Sequence, residues 1–214
     1  MKTLFERLRD ENLTIWNQYV EHDFLMQLSS GTLAEKDFRT YLGQDYLFLI
    51  QLARAYSLAA YKSETLEEIR QSIESVSAII DVEIKLHIEF CANWGLSETD
   101  MKNLAESEET LAYSRFVLET GLAGDLLDLH VALAPCIIGY AEIGCNLKKT
   151  SPSNPYSAWI EMYAGSDYQE VAKLQVQRLD ALFEYRAGEG RFQSLSNKFA
   201  KSTQLEAAFW QQAL

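Results

Sequence analysis

Residues 133 to 140 read LAPCIIGY, a proline and a cysteine side by side in the middle of an apolar stretch. Around them Leu126, Leu129, Leu133, Cys136, Tyr140, Gly144 and Leu147 recur at steps of three and four, the repeat of one helix face. The stretch predicts a helix over 125–148 with Cys136 and Tyr140 one above the other on its inward side. Pro135 has no N–H for the Val131 carbonyl and its ring crowds that turn, so the helix is expected to kink or restart there. A thiol just past such a break lies near freed backbone groups and a local helix N-terminus, conditions that lower its pKa. The plainer alternative is a small buried hydrophobe, the commoner use of a lone inward cysteine.

Working outward, the same period runs through the whole chain, and no alternation long enough for a strand interrupts it. Helices are predicted near 3–21, 33–61, 65–93, 98–105, 109–120, 125–148, 155–163, 167–186 and 190–213. Starts are marked by capping-box spacing at Thr32 with Glu35, Thr65 with Glu68, Ser97 with Asp100 and Ser166 with Gln169. Stops are marked by Gly31, Gly95, Gly121 and the SPSNP segment at 151–155. The expected architecture is an all-α bundle in a single domain over 1–214, since a chain of 214 residues with 48% hydrophobic content is long enough to bury one sizeable core.

Composition excludes several function classes. The net charge of −12 is spread along the chain with no basic stripe, so phosphate neutralisation has no platform and no nucleic-acid partner is expected. The start of the sequence lacks an apolar targeting segment, and no run approaches the ~18 uncharged apolar residues of a membrane span. No membrane partner is expected, and a soluble, cytoplasmic protein is. The three cysteines form no CxxC pair and read as free thiols in a reducing compartment. Cys145 falls roughly half a revolution from Cys136 at ~100° per residue and, with Cys91, reads as structural.

Two carboxylates occupy inward positions. Asp45 fills the gap in the stripe Phe38, Tyr41, Leu42, Leu49, Leu52, Ala53, Tyr56, and Glu206 belongs to Phe192, Leu195, Phe199, Ser202, Phe209, Ala213. Uncompensated buried carboxylates are costly, so each is expected to have either a salt-bridge partner, such as Arg54 or Lys198, or a ligand. Tyr113, Tyr140 and Tyr163 read singly as core aromatics. Together with a thiol and two carboxylates they suit a slot for a flat heterocycle, rings stacking and hydroxyls orienting. A di-iron centre needs Glu and His from several helices. Glu83 and His87 have the spacing for two ligands, but no histidine follows His130, so no metal is expected and His87 reads as a hydrogen-bonded core residue.

Taken in order, HDFLMQLSSGTL, FRTYLGQDYLFL, EIKLHIEFC, AYSRF, LAPCIIGYAEIG, NPYSAWIEMYAG and EAAFW resemble the TenA family, the thiaminase II or aminopyrimidine aminohydrolase group within the haem-oxygenase-like helical fold. The resemblance covers nearly the whole chain and matches the cysteine-bearing branch. It implies that Cys136 is the catalytic cysteine, Glu206 the catalytic carboxylate and Asp45 the residue that holds the aminopyrimidine. Tyr113, Tyr140 and Tyr163 are similar to the family's aromatic pocket wall, and Phe48 stands where many members carry tyrosine.

The chemistry implied is addition of the Cys136 thiolate to C6 of a 4-amino-2-methylpyrimidine, loss of the C5-methyl substituent as ammonia or thiazole, water addition and thiolate expulsion. The product is hydroxymethylpyrimidine. No cofactor is called for. The small-molecule partner is an aminopyrimidine or thiamine, and the resemblance implies a homotetramer. The rival from another class is a pyrimidine-binding or regulatory protein with little turnover.

Overall fold

A computed structural model of the protein describes residues 2–148 and 153–214, and every regular element among them is helical. In chain order these are α1 (Leu4–Glu11), α2 (Leu13–Val20), α3 (Asp23–Ser30), α4 (Glu35–Lys62), α5 (Leu66–Ala78), a π turn (Ile79–Glu83) leading into α6 (Ile84–Asn93), α7 (Glu98–Lys102) and α8 (Glu108–Ala123). Then come α9 (Leu126–Ala134), a second π turn (Pro135–Gly139) leading into α10 (Tyr140–Leu147), α11 (Ser157–Ala164), α12 (Ser166–Arg186), a 3-10 turn (Glu189–Arg191) and α13 (Phe192–Gln211). The all-α expectation stands.

The chain forms two compact units, neither continuous in sequence: Met1–Leu33 with His130–Gln211, and Ala34–Leu129 with Gln212–Leu214. In the first, large rings make the core. Trp16 stacks on Phe199 at 5.6 Å and Trp210 on Phe24 at 5.0 Å, all four buried. Such pairs add roughly 0.5–1.5 kcal/mol each beyond the area they bury. In the second, α4 is the centre and is buried on more than one face, Gln44, Asp45 and Gln51 included. Gly43 lets α7's end come close, since a Cβ there would lie 2.5 Å from Leu104. Buried Gln44 is satisfied by the loop before α8: it donates to the Ala105 carbonyl and accepts from the Ser107 N–H and the Thr110 hydroxyl.

Several local expectations need correction. The helix expected over 3–21 divides at Asn12, whose side-chain amide donates to the Leu8 carbonyl and to Ser196 Oγ, taking up the backbone group a continuing helix would use. α3 was not foreseen, because its cap is a histidine: His22 Nδ1 accepts from the Phe24 N–H at 3.2 Å. Thr65/Glu68 and Ser97/Asp100 do form full capping boxes, as does the unforeseen pair Thr3/Glu6. Thr32 does not cap α4, which starts after Ala34, and its hydroxyl pairs with Ser30 instead. Ser166 is the first residue of α12, and Gln169 reaches back to the Ala141 and Tyr163 carbonyls. Gly31 and Gly95 terminate helices at positive φ, whereas Gly121 lies inside α8, where a Cβ would meet Leu58 and Leu129 at 2.9 Å. Of the SPSNP segment, Ser151 and Pro152 lie outside the described residues.

Leu126–Leu147, taken as one helix, is long and apolar enough by composition to cross a membrane, although Asp128 and Glu142 interrupt any uncharged run. Its most apolar window is 94% buried, the signature of a core helix.

Candidate active site

At Pro135 the helix does not restart. The backbone stays in the right-handed helical region at Ala134 and Tyr140 and widens into one π turn, which absorbs the missing N–H. The local helix N-terminus expected beside Cys136 is therefore absent. Carbonyls of this turn are met from outside: the Tyr19 hydroxyl donates to Pro135 O at 3.2 Å and the Tyr168 hydroxyl to Cys136 O at 3.4 Å. Gly139 permits this, because a Cβ there would lie 2.4 Å from the Tyr19 ring. The Cys136 thiol, 6% exposed, donates to the Leu133 carbonyl at 3.1 Å.

Tyr19, on α2, ties the first unit's candidates together. Burial pushes its hydroxyl well above the ordinary phenol range, and the neighbouring Glu206, Cys136, Tyr168 and Tyr163 push it the same way. Glu206 is buried on α13 in the inward position the stripe gave it. Tyr140 stands 4.9 Å from Tyr163 and 5.2 Å from Trp210, ring to ring. The first unit thus gathers Cys136, Glu206, Tyr140 and Tyr163 in one neighbourhood. Tyr19, Tyr168 and Trp210 were missed. Each sits in a sequence context that reads as ordinary core or helix entrance, with no polar residue out of place to signal it.

The second unit gathers the rest. Asp45 and Phe48 share a face of α4, and the Phe48 ring stacks on Tyr113 of α8 at 4.8 Å, 14° from parallel. Asp45 is 6% exposed, and Arg54, the salt-bridge partner considered for it, bonds Gln51. Instead the Asp45 carboxyl lies 3.5 Å from His87 Nδ1 on α6. Burial pushes that carboxyl up from its ordinary range, while the imidazole and a hydrogen bond from Tyr41 pull it partly back. Glu83 is pushed up to about 7 by burial and by Asp45, and the Cys91 thiol to about 12 by the same two causes. Cys91 therefore stays protonated, while Cys145 is exposed on the far side of its helix. Among the described residues no three His, Cys, Asp or Glu side chains group as metal ligands.

A family model described as TENA/THI-4/PQQC matches residues 9–214. The chain belongs to that family. An uncharacterized protein of Haemophilus influenzae is 35% identical over 99% of both chains. An aminopyrimidine aminohydrolase of Halalkalibacterium halodurans is 30% identical over 93% of this chain and 90% of its own. Among solved structures, a TenA family transcription regulator from Silicibacter superposes with a TM-score of 0.94 at 42% identity, covering 98% of this chain and 96% of its own. The fold is the helical, haem-oxygenase-like one of the TenA homologues.

Proposed function

We propose that the protein is an aminopyrimidine aminohydrolase of thiamine salvage, converting 4-amino-5-aminomethyl-2-methylpyrimidine and water to the hydroxymethyl compound and ammonia, with thiazole release from thiamine as a second capacity. The observation that carries this is membership of the family together with the full-length relative bearing that name. In support, the cysteine and carboxylate that the chemistry requires are buried neighbours of a common tyrosine.

Glu206 takes the Cys136 proton, and the thiolate adds to ring C6 while a ring nitrogen gains a proton. The dearomatised ring expels the C5-methylene amine as ammonia, which leaves with a proton. Water adds at the exocyclic carbon, and the ring regains aromaticity as the thiolate departs and recovers its proton. Asp45 accepts hydrogen bonds from the exocyclic amine or a protonated ring nitrogen, and Phe48, Tyr113, Tyr140 and Tyr163 supply aromatic surface and hydroxyls. The reaction asks for no cofactor. A cytoplasmic location suits the free thiols. A homotetramer, and no nucleic-acid or membrane partner, complete the proposal.

The test is ammonia release from the aminomethylpyrimidine by purified protein. Release at an enzymatic rate supports the hydrolase, and tight pyrimidine binding without release would replace it with a binding or regulatory protein.

A further inference from the structure

His87 is buried, 8% exposed, and both of its ring nitrogens are committed. Nε2 lies 2.9 Å from the Leu42 carbonyl, and a carbonyl oxygen only accepts, so Nε2 carries the hydrogen. In the neutral ring Nδ1 is then a bare lone pair, yet it faces Asp45 Oδ2 at 3.5 Å. A lone pair against a carboxylate oxygen is repulsive. The contact becomes favourable when one proton lies on that side, either on the imidazole or on the carboxyl. Leu42 and Asp45 sit one turn apart on α4, so a single imidazole from α6 is pinned by both.

We infer that His87 is a positioning residue for Asp45: anchored through Nε2–H to the Leu42 carbonyl, it shares one proton with the carboxyl, fixes Oδ2, and keeps Asp45 available as a carboxylate in a buried place. The inference rests on Asp45's proposed role in holding the aminopyrimidine. The other titratable groups about the pair are Tyr41 on α4, Glu83 on the π turn and Cys91 on α6. Burial opposes the Asp45 charge, and the imidazole is the first counterweight to it. Without the imidazole, the carboxyl takes up a proton at higher pH and stops accepting from the exocyclic amine.

The test uses His87→Gln, whose amide can still donate to the Leu42 carbonyl. Binding of 4-amino-5-hydroxymethyl-2-methylpyrimidine is measured from about pH 6 to about pH 9, alongside Asp45→Asn and in a Glu83→Gln background that removes the neighbouring carboxyl pushed up to about 7. The expected result is a loss of about tenfold or more at the acid end that closes as pH rises, with KM moving more than kcat. A loss by the same factor at every pH, or none, would overturn the inference, since a merely structural histidine has no reason to shift the pH profile. If Asp45→Asn binds like the parent, Asp45's role is what fails, and the inference goes with it. Nitrogen-15 spectra of the unsubstituted protein provide a check that does not depend on the variant folding. They should show hydrogen on Nε2 of His87 and an Nδ1 signal that changes in Asp45→Asn; hydrogen on Nδ1 with a bare Nε2 would refute the pair in a protein whose Asp45 still binds pyrimidine.

Discussion

Cys136 and Cys91 are both buried thiols, and their neighbours separate them. Cys91 faces Asp45, which together with burial holds it as a thiol. Cys136, like Glu206, Tyr163 and Tyr168, acts on the buried Tyr19 hydroxyl, and the mechanism proposed above passes its proton to Glu206. Cys136→Ser should abolish turnover while retaining pyrimidine binding, whereas Cys145→Ser keeps activity; iodoacetamide labelling that inactivates should map to Cys136. The two carboxylates should fail differently. Asp45→Asn removes a charged hydrogen bond worth about 1.5–3 kcal/mol and should appear chiefly in KM. Glu206→Gln should lower kcat by about 10²–10⁴, the range for lost general acid–base help, and steady-state kinetics of the pair checks both. The inward placing of Asp45, Cys136 and Glu206 was legible from spacing alone. His87 as Asp45's partner was not, because the two are 42 residues apart, at positions 45 and 87, and nothing local couples them.

At the scale of elements, the π turn over Pro135–Gly139 shows what one residue imposes on a helix and what its neighbours must supply. The proline was legible as a disturbance. Its outcome, a widened turn instead of a break, depended on hydroxyls arriving from α2 and α12 to meet the turn's carbonyls. Gly139→Ala tests this arrangement. Its Cβ would lie 2.4 Å from Cε1 and 2.8 Å from Oη of Tyr19, a ring fully buried and stacked on Trp210. Overpacking of this kind costs about 1–3 kcal/mol, and the melting temperature should fall by roughly 2–4 °C for each. Gly190→Ala, with nothing within 4 Å, is the control and should melt like the parent. α3 and the break at Asn12 escaped the sequence reading for a related reason: a histidine cap and an asparagine side-chain bond to Ser196 carry no strong local signature.

For the whole molecule, pH is the broadest lever. Glu83, near 7 in the fold against 4.5 ordinarily, keeps its proton longer when folded than when unfolded. Its contribution to stability is therefore intact below about 4.5 and is lost as pH rises through about 7. Glu83→Gln should remove roughly 1–3 kcal/mol of that pH dependence, so melting temperatures of variant and parent should converge in acid and separate in the variant's favour above neutrality. The sequence by itself determined the helical class, most helix boundaries and the inward faces, because a 3.6-residue period and capping chemistry are local properties written within a few residues. Tertiary structure alone decided which inward groups become neighbours: Tyr19 beside Cys136 and Glu206, His87 beside Asp45, Phe48 flat against Tyr113. A periodic pattern says which way a side chain points, whereas its protonation and its partner depend on burial and charge brought from elements far away in the chain.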